Sequence, residues 1–397
     1  MSEANTASIK RKQTLLMIAL CLTSIGVMSD MIFIPVADGI FSSYSSTPIS
    51  VLNFILSGTA LVMAVAALIF GPLANRFGRK VPLIGAFLIV TVSGLGMFLF
   101  NNGTATAILR GICGFGMGGL SVVGIDVIAD NFEDENRRGA MVGLFTGSQG
   151  ITGALLSALA GVIGTNNWRN VIHIFWACIP ILILLFMFIP EDRKKTVSEM
   201  EDDAATAAMP WNKVIFLALA YFAFSMLYSV VYYEISIIIA EKQIGTAAVA
   251  GIMASISTIG GTIGALSFGW VYPKLKRILP AVVFLAMAAV YMVLYYGSGL
   301  FAVGFACLVL GILFTSGMSY YLTYCTIIVP EERINLSVSV TTFFGSVGAA
   351  LSTYAGTILQ QMTGSDTLTG IIPVVSAILL AGGIISLILF LASKRKA

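Results

Sequence analysis

Charged side chains vanish from this sequence for about 20 positions at a time, and that recurrence narrows its fold more than any other feature. A bilayer core of about 30 Å needs about 20 apolar residues per helix, because backbone amides cannot be left unpaired in lipid. Twelve stretches meet this requirement, near 14–40, 49–71, 81–100, 104–129, 139–164, 170–190, 213–240, 246–271, 279–297, 301–328, 336–361 and 371–392. Only 10% of the residues are charged, far below the roughly 25% of a water-soluble domain. The expected fold class is an all-α polytopic membrane protein with twelve transmembrane helices.

The placement of the cations sets a topology. If both termini share one side, 19 of the 22 Lys and Arg residues fall there, leaving only Arg110, Arg169 and Lys242. The excess of basic residues marks the cytoplasmic side, and an even number of spans keeps both termini on it. The basic cluster Lys10–Lys12 before the first apolar run resembles a signal peptide, but the run is too long and lacks a small-x-small cleavage site, so a retained first span is expected. Residues 191–212 are polar and acidic-rich and divide the spans six and six. The expected domains are 1–190, a linker at 191–212, and 213–397. A net charge of +3, dispersed in this way, argues against nucleic acid as a partner.

An internal repeat supports the same division. A shift of 198 residues carries Gly71–Arg79 onto Gly269–Arg277, Gly147-Ser148-Gln149-Gly150 onto Gly345-Ser346-Val347-Gly348, and Glu133-Asp134 onto Glu331-Glu332. Repeats related by an axis along the membrane normal build transporters whose site lies between the halves and is exposed alternately to each side.

Three segments then carry a family resemblance. Gly71-Pro-Leu-Ala-Asn75-Arg76-Phe-Gly78-Arg79-Lys80 resembles the loop signature between helices two and three of the major facilitator superfamily. Arg110-Gly-Ile-Cys-Gly114-Phe-Gly-Met-Gly118-Gly119 resembles its second motif, and Asp30 in Ser29-Asp30-Met-Ile-Phe-Ile-Pro35 resembles the first-helix acid of its twelve-helix drug–proton antiporters. The resemblance implies two pseudo-symmetric six-helix bundles, and a cytoplasmic latch of Gly71, Asn75, Arg76, Gly78, Arg79 and Asp126 that stabilises the outward-open state. Two positions depart from the pattern: Asn75 stands where the family usually has an acid, and Ser148 follows Gly147 where the antiporters usually have proline.

Ionisable residues at membrane depth cost at least about 2.5–3.5 kcal/mol and therefore point to function. Asp30 lies about 24 Å into its helix, and Arg110, entering from the other side, about 9 Å below the outer surface, so the two are within reach of each other. They form either a coupling and substrate site or a static ion pair. The stripe Arg110, Gly114, Gly118, Ser121 either lines a cavity or lets a neighbouring helix come close. Asp126 belongs to the cytoplasmic end, within reach of Arg76 or Arg79. Glu234, about 21 residues into the seventh span, is expected near the outer surface and is a second candidate for proton coupling. Tyr228 and Tyr232, with Tyr320, Tyr321 and Tyr324, are candidates for an aromatic wall around an amphipathic solute, or for interfacial anchors. Gln149 and Ser148 either add hydrogen bonds to solute or satisfy each other.

His173 has no acid at ligand spacing and the five cysteines lie inside apolar runs, so neither a metal site nor a cofactor is expected. No nucleotide loop or hydrolase triad occurs, which argues against an ATP-driven pump and against an enzyme. The expected function is proton-coupled efflux of a small organic or amphipathic solute, by a monomer in the cell membrane. Sodium is the alternative ion at the same carboxylate. Uptake of an organic anion, with Arg110 recognising its carboxylate, is the alternative function.

Overall fold

The computed structural model describes residues 3–132, 134–189, 209–330 and 333–394. The side chains of Lys10, Arg11, Lys12 and Asn75, most of the linker, Glu133, and the acidic pair Glu331-Glu332 lie outside the described residues. Twelve helical segments run through them. They are α1 (residues 3–43), α2 (residues 49–77), α3 (Lys80–Gly96), α4 (Gly103–Asn131), α5 (Glu135–Gly164), α6 (Trp168–Phe188), α7 (residues 211–241), α8 (Ala247–Leu275), α9 (Leu279–Tyr296), α10 (Leu300–Ile327), α11 (Ile334–Thr363) and α12 (Ile372–Lys394). The hydropathy reading places each to within a few residues, with two exceptions: α1 begins at Glu3, and α2 runs on to Phe77.

Four crossings depart from a continuous α-helix, among them α6, whose first half, Trp168–Ala177, is a 3-10 helix. α1 breaks into Glu3–Leu22, Ser24–Val27, 3-10 turns at Ser29–Ile32 and Ile34–Val36, and Ala37–Ser43, and it bends by 43° near the middle. Ser29 Oγ takes the carbonyl of Gly26 at 2.8 Å, and Pro35 has no amide to offer the turn before it. α2 carries a π-helical turn at Phe54–Gly58. α7 stops at Tyr233 and restarts at Ile235, leaving Glu234 between two helical pieces with φ −106° and ψ 13°.

Buried apolar side chains gather into two clusters, one from residues 16–189 and one from 217–379 joined by Ile34 of α1. Between them the helices meet at the end that carries the α1–α2, α3–α4, α5–α6, α7–α8, α9–α10 and α11–α12 loops, hereafter the loop end. There α5 and α8 touch backbone to backbone: a β-carbon on Gly161 would stand 2.5 Å from the carbonyl oxygen of Ala247, and one on Gly251 2.5 Å from that of Ser157. Ser255 Oγ donates to the carbonyl of Ala154 at 2.6 Å. α2 and α11 close in the same way, through Asn53 Nδ2 to Thr357 Oγ1 (3.0 Å), Ser57 Oγ to the Ala350 carbonyl (2.7 Å) and Tyr354 OH to the Ser50 carbonyl (2.9 Å). Toward the opposite end, which bears the termini, Gly71 on α2, Gly143 and Gly147 on α5 and Gly269 on α8 have nothing within 4 Å of where a β-carbon would sit. The bundle is thus sealed at its loop end.

Candidate functional site

The break in α1 delivers Asp30 into the protein interior, where it is 4% exposed. Arg110, fully buried on α4, donates from Nη2 to Asp30 Oδ1. Two neighbours complete the arrangement. Thr59 Oγ1 donates to the same carboxylate oxygen at 3.0 Å, and Arg110 Nε donates to the carbonyl of Ile55 at 3.0 Å. Ile55 lies in the π-helical turn of α2, and widened turns of this kind redirect carbonyls toward side-chain partners. The guanidinium sits 4.0 Å from the ring centroid of Phe33, a cation–π contact that replaces water on one face. Arg110 Nη1 is buried with no hydrogen-bond partner.

The glycine stripe beside Arg110 admits two readings, and the packing decides between them. A β-carbon on Gly118 would stand 2.3 Å from the carbonyl oxygen of Met63, and one on Gly114 3.0 Å from that of Thr59. The stripe is the surface on which α2 lies against α4, so the glycines bring Thr59 and Ile55 within reach of the Asp30–Arg110 pair.

Glu234 is the buried acid of α7. It stands toward the loop end of α7 as expected, but is 2% exposed, because α7 breaks at this residue and Gly356 of α11 covers it. Its Oε2 has no hydrogen-bond partner. Two turns further along, Glu241 accepts from the amides of Leu368 (2.7 Å) and Thr369 (2.8 Å) and from Thr369 Oγ1 (2.7 Å), ahead of α12. Lys242, in the loop that follows, donates to the carbonyls of Tyr295 (2.7 Å) and Gly297 (2.8 Å) at the end of α9, and burial lowers its ammonium from the usual lysine range.

The tyrosines form a chain of rings on α7, α8 and α10. Tyr228 stacks on Phe314 with centroids 4.0 Å apart and shares a 3.2 Å hydrogen bond with Ser257, and Tyr320 stacks on Tyr324 at 5.6 Å. Phe224 and Tyr321 link the two groups at 5.6 Å. Tyr228 and Tyr320 are buried in this packing, whereas Tyr232 and Tyr324 are half-exposed. Tyr232 OH reaches Met31 Sδ at 3.1 Å, from α7 to α1. On α5, Ser148 shares a 2.8 Å hydrogen bond with Ser24 of α1 and donates to the carbonyl of Phe145, so it is not committed to Gln149, which is half-exposed. His173 packs on Phe98 at 4.7 Å.

In the terminus-end loop, Gly78 adopts a φ of 83°, a backbone form that favours glycine and turns the chain from α2 into α3. That turn presents Arg79 to α4, where Nη1 lies 3.8 Å from Asp126 and Nε donates to Asp130 at 3.1 Å. Asp130 was missed by sequence reasoning, although it lies four residues from Asp126 on the same helical face. Arg76 lies over the ring of Phe77 at 5.4 Å, and Gly71 faces open space. All these contacts fall inside residues 71–130 and are intact with the loop end sealed. Thr59, the Ile55 carbonyl, Phe33 and the Asn53–Ser57 contacts with α11 were also missed.

The family model described as Major Facilitator Superfamily matches residues 16–353. The multidrug resistance protein MdtG of Citrobacter koseri is 31% identical over 151 residues, 38% of this chain and 36% of that protein. The efflux pump MMF1 of Pseudozyma antarctica is 29% identical over 141 residues, 34% of this chain and 25% of that pump. The hexuronate transporter of Bacillus subtilis is 24% identical over 248 residues, 57% of each chain. The chain thus spans between a quarter and just over half the length of these relatives. Among solved structures, a bacterial homolog of the human lysosomal transporter Spinster, inward-facing and unoccupied, superposes with a TM-score of 0.74 at 12% identity, covering 94% of this chain and 93% of that one. The inward-open xylose transporter XylE of E. coli superposes with a TM-score of 0.70 at 14% identity, covering 93% and 94%. With a match across most of its length and a fold shared from end to end, this chain belongs to the Major Facilitator Superfamily.

Proposed function

We propose that the protein is a secondary transporter that exports a small organic or amphipathic solute from the cell by alternating access, driven by protons bound at Asp30 and Glu234. The carrying observation is the Asp30–Arg110 pair, buried on a broken helix and held by Thr59 and the Ile55 carbonyl. A proton arriving at Asp30 cancels the attraction that holds Arg110, and solute binding between the halves then competes with the proton for the same arrangement. Residues 1–190 and 213–397 are the two rocking bundles, and 191–212 is their tether. The concentration of basic residues supports cytoplasmic termini, and in this reading the sealed loop end is the outer side and the protein inward-facing. Tyr232, Tyr324 and Gln149 are the half-exposed side chains that meet solute, with Tyr228 and Tyr320 backing them. Arg79 with Asp126, beside Gly71, Asn75, Arg76 and Gly78, is the cytoplasmic latch of this reading, and because its contacts are formed in the inward-facing arrangement it does not by itself select the outward-open state.

One observation favours a second reading. Arg110 Nη1 is buried without a partner, and a guanidinium with a free N–H is suited to a carboxylate, so uptake of an organic anion with protons uses the same residues. Proteoliposomes loaded with a pH-sensitive dye decide. Solute-triggered proton movement that disappears in Asp30→Asn supports coupling, and its sign separates export from uptake. Unchanged proton movement in Asp30→Asn refutes the assignment.

A further inference from the structure

We propose that Glu234 is the proton-binding hinge of the seal at the loop end: the sealed arrangement holds its carboxyl neutral, and loss of that proton opens the seal. This rests on the proton-coupled reading above and deepens it, by assigning one carboxyl to one gate.

The placement of the residue makes it a hinge. Glu234 is the single non-helical residue between Trp211–Tyr233 and Ile235–Glu241, and its carbonyl accepts the first amides of the second piece, Ile237 at 3.0 Å and Ile238 at 3.1 Å. A rotation between two stiff pieces is absorbed at such a position. The piece that would swing is also the piece that seals. Ser236 Oγ donates to the carbonyl of Pro35 on α1 at 2.8 Å, and Ile235–Glu241 packs against the Ile34–Val36 and Ala37–Ser43 pieces of α1. Glu241 fastens its far end to the amides ahead of α12.

The surroundings of the carboxyl select its charge. A β-carbon at Gly356 would stand 3.1 Å from Oε2 and 3.7 Å from Oε1, so α11 lies directly on the carboxyl and offers it no donor. The only titratable side chain on α11 is Tyr354, whose hydroxyl is bonded to the Ser50 carbonyl. On α1, the titratable group of the packed pieces nearest the loop is Asp38; on α8, Tyr272 and Lys274 stand at the opposite end, as do Tyr320, Tyr321, Tyr324 and Cys325 on α10 and Lys394 on α12, leaving Cys307 as the titratable group of α10 nearer the loop end. On α7 itself stand Tyr232, Tyr233 and Glu241, and Lys242 in the loop beyond is held by the carbonyls of Tyr295 and Gly297. Arg110 is engaged by Asp30. Glu241 is the acid whose charge reaches Glu234, and among the described residues no cation on these elements is free to pair with it, so an ionised carboxylate there would be a buried, unpaired charge. Lifting α1 from the hinge admits water and removes that penalty. The sign does not depend on the direction of solute movement, because in either direction the seal closes with the proton aboard.

The test reads the seal directly. Spin labels at Ser46→Cys and Thr367→Cys, both exposed at the loop end, are placed in a Cys21→Ser background, and their separation is measured in nanodiscs without solute. One linked proton changes the open-to-closed ratio by up to about tenfold per pH unit, so from about pH 5 to about pH 9 the wild-type ratio is expected to rise at least about tenfold. In Glu234→Gln it is expected to move less than about twofold. Gly356→Ser keeps the carboxyl and gives it a hydroxyl donor, so the swing is expected to shrink at least about threefold; this variant decides alone if Glu234→Gln does not fold. A full wild-type swing in Glu234→Gln, or an unaltered swing in Gly356→Ser, overturns the hinge. If that happens while solute-driven proton flux persists, coupling stands without the hinge. If flux is absent but the separation follows Glu234, the hinge stands and coupling falls.

Discussion

Two helices of this protein break beside a buried acid, and the two acids are treated in opposite ways. At the α1 break, Asp30 is met by Arg110 and Thr59, and the guanidinium is held in turn by the Ile55 carbonyl and the Phe33 ring. At the α7 break, Glu234 is covered by a glycine and keeps an oxygen with no partner at all. The first helix of each half thus breaks beside an acid, although the 198-residue shift carries Asp30 onto Tyr228 rather than Glu234, and the chemistry around the two acids differs. A saturated carboxylate resists change until a competitor arrives; an orphaned one responds to its own proton. Two such sites give one protein a firm element and a yielding one.

The contrast can be broken experimentally. Removing the cation should have the largest effect on stability: Arg110→Ala leaves Asp30 as an uncompensated buried charge and is expected to lower unfolding free energy by about 3–5 kcal/mol, measured by thermal or denaturant unfolding in detergent. Adding Asp30→Asn to Arg110→Ala should recover most of that loss, and no recovery would mean that Arg110 acts by packing alone. A smaller loss, about 1–3 kcal/mol, is expected for Thr59→Val, which keeps the shape and removes one donor to the carboxylate. Glu234→Gln exchanges one unpartnered polar group for another and should change stability by less than about 1 kcal/mol. If it destabilises as much as Arg110→Ala, the two breaks are alike and the contrast is wrong. The smallest effect should come from Arg79→Ala, whose ion pairs with Asp126 and Asp130 are partly solvated and worth about 0–1 kcal/mol. Its value lies in transport rate, where a latch role would show and a merely solvated pair would not.

Much of this molecule was readable before any coordinates. Twelve crossings follow from hydropathy and charge, because lipid enforces backbone pairing so strictly that few alternatives survive. The meeting of Asp30 and Arg110 follows from counting residues inward from opposite ends, an estimate that works when helices cross the membrane with a regular rise. The same count placed Glu234 toward the loop end but could not show that it is buried there. It treated α7 as one uninterrupted helix in isolation, whereas burial at that residue comes from a break within α7 and from α11, some 120 residues away in sequence. The Thr59, Ser57 and Asn53 contacts escaped for a different reason. Hydroxyls and amides in apolar spans can bond their own helix four residues back, so their presence does not announce a partner. The face of α4 bearing Gly114 and Gly118 was correctly identified as a stripe, but only the neighbouring backbone of α2 shows that it is a contact rather than a cavity wall.

The meeting of Gly161 with Gly251 carries a mechanical consequence. Where most helices interlock through side chains, α5 and α8 lie against each other as two nearly bare cylinders, with Ser255 as a single peg between them. Bare cylinders have no teeth to lift over one another, so one can roll on the other while the axle between them stays closed. At this seam few interlocking side chains oppose rotation of one helix on the other, whereas the seat of Ile34 in the second apolar cluster would have to be given up.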